Sequence, residues 1–300
     1  MKFNLQEINT HSVASDTDST FICLEPILRK KYPDLDLNNT EEVLEKIKPL
    51  QKEIGEKLNN YQSVIAKKLL NCNEHYFDLK PEYIVKKALW TGKRRYAQYL
   101  VDREGQRIDV IDTKGLELMK SNMNKLFKEF GEQLIKDILF GKLKSEIDNN
   151  IVEFYKTLKT LDPKTLGKPT GVKQISAYRI PVRAGEIFSS FRLKAPANTK
   201  AAVRYNDLLK FKKLDTKYES VIEGDKIFII NLKQNPYKLE TIGLPNASVP
   251  PEIEEFVKTY IDVDEIFESL LLNKLKELYK DLSWEFPSLN PNIKKFFAFS

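Results

Sequence analysis

Cysteine and histidine are nearly missing from this chain, with Cys23, Cys72 and two histidines in 300 residues. No Cys-x-x-Cys spacing and no closely spaced pair of histidines occur, so neither a disulfide framework nor a structural zinc centre is expected. No apolar run reaches the length of about 18 residues that a membrane-crossing helix needs. The N-terminal Met-Lys-Phe-Asn-Leu-Gln-Glu lacks the apolar core of a secretory leader. A large excess of one charge is missing too, because 49 basic residues stand against 43 acidic ones and leave a net +6. A partner that demands positive charge must therefore find it in local patches. These absences point to a reduced, cytoplasmic protein with no membrane contact. The length suits one or two domains with a sizeable core.

What is present begins at Val13-Ala14-Ser15-Asp16-Thr17-Asp18-Ser19-Thr20-Phe21. Ile8 to Val13 is a β-tolerant run, Phe21 to Leu24 is a compact apolar strand, and small polar residues lie between them, as a tight reversal requires. The pattern predicts a β-hairpin with Asp16 and Asp18 at its tip. Two carboxylates that close repel each other in a low-dielectric cleft unless a pKa rises or a cation binds. Their hard oxygens suit Mg²⁺, which keeps several waters and takes one or two protein carboxylates together with substrate phosphates. An acidic solvent turn is the plainer alternative, since Asp is a common turn residue.

From Thr40, a candidate N-cap, to about Asn71 the spacing predicts one long amphipathic helix. Its stripe is Val43, Leu44, Ile47, Leu50, Ile54, Leu58, Tyr61, Ile65 and Leu69. It should lie across the back of the sheet that carries the hairpin. Tyr76 to Val101 alternates strand-like runs with charges, and Asp102 to Gly105 reads as the turn before a further strand at Arg107 to Ile111. Lys86, Lys87, Lys93, Arg94 and Arg95 have no acid among them, and Trp90, Tyr96 and Tyr99 are interleaved. Cations and rings sharing one sheet surface suit a groove that follows phosphates, against the alternative of a solvated charge run.

Beyond Gly115 the pattern turns helical, over Leu116 to Phe140 and Leu143 to Leu161, with Gly141 as a stop and Asp162-Pro163 closing the pair. Gly167 to Gly171 reads as a loop. Arg192, Lys194, Lys200, Arg204, Lys210, Lys212, Lys213 and Lys217 face only Asp207 and Asp215, which fits either a phosphate-gripping surface or a solvated face. A buried strand is expected at Asp225 to Asn231. Helices are expected from Pro250-Pro251 to Tyr260 and from Asp262 to about Tyr279. The end of the chain carries Phe296, Phe297 and Phe299, three rings that either tuck into the fold or dock in a partner's pocket.

Ser15-Asp16-Thr17-Asp18-Ser19 between two strands resembles motif C of family B DNA polymerases. Two further stretches of that family follow in order. Lys93-Arg94-Arg95-Tyr96 resembles its primer-contacting Lys-Lys-Arg-Tyr motif, with Arg94 in place of the commoner Lys. Lys114-Gly115-Leu116-Glu117 is similar to the segment that leads from palm to thumb. The resemblance implies that Asp18, with Asp16 beside it, is catalytic and ligates two Mg²⁺ ions, and that Thr17 lies against the incoming dNTP. It also implies that Lys93, Arg94, Arg95, Tyr96 and Lys114 contact primer-template DNA. Phe296, Phe297 and Phe299 then become a candidate sliding-clamp peptide.

Two parts of that family have no counterpart in this sequence: the Asp of the first palm motif and the fingers helix that holds the triphosphate. The exonuclease acids are missing as well. The resemblance therefore implies an α+β protein in three parts. The C-terminal half of a palm spans 1–115, with an antiparallel sheet and packing helices. A mostly helical thumb with a small β element spans 116–289, and a tail spans 290–300. Such a chain would be one subunit of a split, phage-type polymerase, acting in the host cytoplasm if phage-encoded. An N-terminal polymerase chain would supply the remaining metal ligand. The alternative from another class is a non-catalytic accessory protein that keeps only the grip on DNA or the clamp.

Overall fold

The computed structural model describes residues 12–16, 19–76, 78–116 and 124–289, without the side chain of Asp16. The fold is α+β with small antiparallel sheets. It divides into two compact units, Met1–Gly115 and Leu116–Ser300. Among the described residues no helix is long and apolar enough to cross a membrane.

In the first unit, β1 (Ser12–Asp16) and β2 (Ser19–Ile22) pair as an antiparallel hairpin. The described ladder runs from the Ser12–Ile22 pair to the Asp16–Ser19 pair. Cys23 and Leu24 have left it because the chain turns at once into α1 (Glu25–Lys31). Pro26 fits the first turn of this helix, where its missing N–H has no intrahelical partner to lose.

Helix α2 (Thr40–Lys68) follows the expected stripe, but its cap is Asn39, whose side chain accepts from the Glu42 amide. Glu41 and Glu42 in the first turn and Lys67 and Lys68 in the last complement the helix dipole. Leu44, Ile47 and Leu50 pack with Ile27 and Leu28 of α1 and with Ile84 and Val101. The second half of the stripe outruns this core, leaving Leu69 76% exposed.

Strands β3 (Tyr83–Gly92), β4 (Arg95–Arg103) and β5 (Gln106–Lys114) form a meander in the order β3-β4-β5. The hairpin β1-β2 is a separate sheet, so α2 backs the meander and not a sheet containing the hairpin. Lys48 of α2 pairs at 3.0 Å with the buried carboxylate of Asp102. Asp102 also accepts from the Gly105 amide at 2.7 Å, which fixes the β4-β5 turn against the helix.

The second unit opens with α3 (Lys125–Leu139) and α4 (Lys144–Leu158), separated at Gly141, whose φ is +77°. Asp162 caps the short α5 (Pro163–Leu166). The expected loop at Gly167 to Gly171 is instead mostly β6 (Lys168–Gly171), paired with β9 (Lys226–Asn231). Between them come α6 (Ile175–Tyr178), the two-residue strands β7 (Arg179–Ile180) and β8 (Ser190–Phe191), and α7 (Ala197–Phe211).

β10 (Thr241–Pro245) completes a sheet in the order β10-β9-β6. It packs on α7, where Gly243 leaves room for the Ala201–Ala202 backbone. α8 (Pro251–Tyr260) lies where the sequence places it. The last expected helix is present with a π turn inside it: α9 (Val263–Phe267), Glu268–Leu272 in π form, then α10 (Asn273–Asp281). Tyr155 donates to Asp264 and Tyr279 to Asp148, both at 2.6 Å, tying α4 to α9 and to α10.

Candidate nucleic-acid interface

Strands β3 and β4 meet at Lys93-Arg94, a two-residue turn flanked by the pair Gly92 and Arg95. Arg94 takes a φ of +60°, in the left-handed region that L side chains seldom occupy. The turn is clamped from both sides. The Thr91 hydroxyl donates to the Arg95 carbonyl at 3.3 Å, and the Arg95 guanidinium donates back to the Thr91 carbonyl at 3.2 Å. Lys93 and Arg94 are exposed, while Arg95 and Tyr96 are half-buried.

In register, Trp90 pairs with Tyr96 and Tyr96 with Lys114. Directly paired residues share a face of a sheet, so an aromatic pair and a lysine form one row across the meander beside the basic turn. Lys93, Arg94, Arg95, Tyr96 and Lys114 are thus brought together at one end of the sheet.

The hairpin is seated on the same row. The ring of Phe21 lies 4.8 Å from Trp90 and 6.0 Å from Tyr96, with Trp90 and Tyr96 4.7 Å apart. Such edge-to-face pairs add to the apolar burial. Asp16 pairs with Ser19, so Thr17 and Asp18 are the two residues between β1 and β2. Behind the tip, the Ser15 and Thr20 hydroxyls are 3.0 Å apart. Thr17, Asp18 and the Asp16 side chain lie outside the described residues, as do Phe296, Phe297 and Phe299.

Three expectations change. Lys86 is not part of the basic surface, because its ammonium donates to the Asn38 carbonyl at 2.7 Å and to the Thr40 hydroxyl at 2.6 Å. Tyr99 does not share the face of Tyr96. It is three residues further along the strand, packs toward the α2 core, and has its phenol held above its ordinary pKa by burial and by Asp109. Lys87 pairs with Tyr99 and goes to that face as well.

The basic stretch of the second unit is likewise not one surface. Arg204 is drawn in over the rings of Phe188 and Phe191, and burial lowers its pKa. Asp207 is buried and Arg204 half-buried, so neither residue lies on an open face. The exposed cations stand toward opposite ends of α7, with Arg192, Lys194 and Lys200 at one end and Lys210, Lys213 and Lys217 at or beyond the other.

Sequence reasoning missed two contributors to the meander site. Phe21 read only as a strand residue, although it links hairpin to meander. Gln98 is buried on the face of Tyr96, where its amide donates to Asp112 at 3.1 Å and its own carbonyl has no partner among the described residues. A glutamine inside an apolar strand was the available signal. No family model matches the chain, and no curated protein compared with it matches either.

Proposed function

We propose that this chain is the C-terminal subunit of a split family B DNA polymerase. In that reading it contributes motif C and the primer and duplex contacts for nucleotidyl transfer. The observation that supports the reading most is the seating of Phe21 on Trp90 and Tyr96. It joins the strand after the aspartates to the row that begins at the basic turn, two stretches far apart in sequence that a polymerase needs side by side.

The donor chemistry at the tip suits Mg²⁺: two carboxylates one residue apart, hard oxygens that leave sites for water and phosphate. Bound there, Mg²⁺ would lower the pKa of the primer hydroxyl and stabilise the leaving pyrophosphate. Asp18 is the principal ligand in this reading, Asp16 the lesser one, and a third carboxylate comes from another chain. Thr17 lies against the dNTP. Lys93, Arg94 and Lys114 neutralise primer-template phosphates, while Arg95 and Tyr96 hold the primer end without reading sequence.

The final residues, with Phe296, Phe297 and Phe299, are proposed to dock in a sliding clamp. The test of the whole is primer extension by this chain mixed with a chain that carries the fingers and the first palm acid. Extension that depends on Asp18 supports the reading, and extension indifferent to Asp18 removes it.

A further inference from the structure

Between β8 and α7 the chain makes a turn, Arg192-Leu193-Lys194, that holds a leucine out in water. Leu193 is 88% exposed, with a cation on either side of it in sequence. The turn is not loose. The Arg192 amide donates to the Tyr178 carbonyl at 2.9 Å, the Ala195 amide to the Arg192 carbonyl at 3.3 Å, and Lys194 takes a φ of +62°.

Its base is fixed by a buried ionic knot. Asp207, on α7, accepts from Arg179 at 2.9 Å and from the Ser189 amide and hydroxyl at 2.7 and 3.0 Å. Arg204 donates to the Ser189 carbonyl at 2.9 Å and covers Phe191. No acidic residue occurs from Ile187 to Asn206, and Arg192, Lys194 and Lys200 make no ion pair among the described residues.

We propose that Arg192-Leu193-Lys194 is a nucleic-acid wedge, in which the two cations grip phosphates across a minor groove and Leu193 presses into a base step. Apolar wedges between cations are how minor-groove proteins unstack and bend a duplex. A membrane would ask for a wider apolar face than one leucine. A protein pocket would gain nothing from a cation on each side unless it were acidic. The wedge belongs to the second unit and does not depend on the aspartates of the first.

The test uses the full chain and a short duplex carrying 2-aminopurine, with no nucleotide and no metal, so a failed polymerase reading leaves it untouched. Binding by the unaltered chain should brighten 2-aminopurine as its step unstacks. Leu193→Ala should lose that signal and weaken binding about tenfold, with the salt dependence kept. Arg192→Ala with Lys194→Ala should instead flatten the slope of log affinity against log salt by about 1.8, two phosphate contacts' worth. Circular dichroism checks that the variants fold. Leu193→Ala matching the parent in affinity and fluorescence overturns the wedge. So does Leu193-dependent binding to anionic phospholipid vesicles with none to the duplex.

Discussion

Gly115 lies so close to the main-chain carbonyl of Arg94 that a methyl group added to it would overlap that oxygen. The same methyl would stand 3.1 Å from the Arg95 side chain. The end of β5 thus passes directly over the turn that carries Lys93 and Arg94, and the two segments hold each other in place. Gly115 also has a φ of +67°, which L side chains avoid.

Gly115→Ala should therefore lose more stability than a glycine substitution that is only strained. Gly105 supplies the comparison, with a φ of +88° and open space where a Cβ would go. Gly105→Ala should cost about 1 to 2 kcal/mol from backbone strain. Gly115→Ala adds a steric term of about 1 to 3 kcal/mol. Urea denaturation of both variants checks this, and equal losses would mean that the Arg94 carbonyl yields at no cost.

Phe21→Ala should unseat the hairpin. The chain has two tryptophans, so a Trp284→Phe background leaves Trp90 as the reporter. Truncating the half-buried Phe21 ring should cost about 1 to 2 kcal/mol and move Trp90 emission to the red as water reaches the indole. Unchanged emission would show that Phe21 does not cover Trp90.

Much of this architecture was legible in advance. The stripe from Leu44 to Ile54 and the run Lys226 to Asn231 bury one face or both, and that requirement is written in residue spacing. The turn Lys93-Arg94 was harder, because its position depends on which residues pair across β3 and β4. Long-range pairing also decided that Lys86 would satisfy the Asn38 carbonyl and that Tyr99 would face α2. The second strand stops at Ile22, two residues short of Leu24, because the chain turns into α1 at Glu25. Leu69 continues a perfect stripe yet stays exposed, since nothing in its own helix says where the opposite sheet ends.

Asp207 and Asp215 look alike in the basic stretch of the second unit, but only Asp207 is buried. Asp207→Ala leaves Arg179 without its carboxylate and the Ser189 amide unpaired, at a cost of about 3 to 5 kcal/mol. Asp215→Ala should stay within about 0.5 kcal/mol of the parent. Thermal or urea unfolding of the two variants separates them, and a mild Asp207→Ala would mean that the knot does not hold β7 and β8 to α7.

Tyr205 is fully buried, and its hydroxyl has no partner among the described residues. Burial pushes its pKa up to about 12 from an ordinary value of 10.0. A raised folded pKa means that the native state holds its proton more tightly than the unfolded chain. That stability is complete below pH 10 and is lost as pH rises from 10 through about 12. Tyr205→Phe should be neutral or slightly stabilising at pH 7, because an unpaired buried hydroxyl disappears. It should also soften the alkaline loss, which stability curves at pH 9 and pH 11.5 would show. A loss of about 2 kcal/mol or more at pH 7 would reveal a hydrogen bond on that hydroxyl.

Primer extension with an Asp18→Ala chain bears most directly on the polymerase proposal. Mixed with the chain that carries the fingers and the first palm acid, the unaltered protein should extend a primer in the presence of Mg²⁺ and dNTPs. Asp18→Ala should abolish extension while the two chains still co-elute and still retain primer-template. Undiminished extension by Asp18→Ala, or an unaltered mixture that assembles on DNA and adds no nucleotide, contradicts the account.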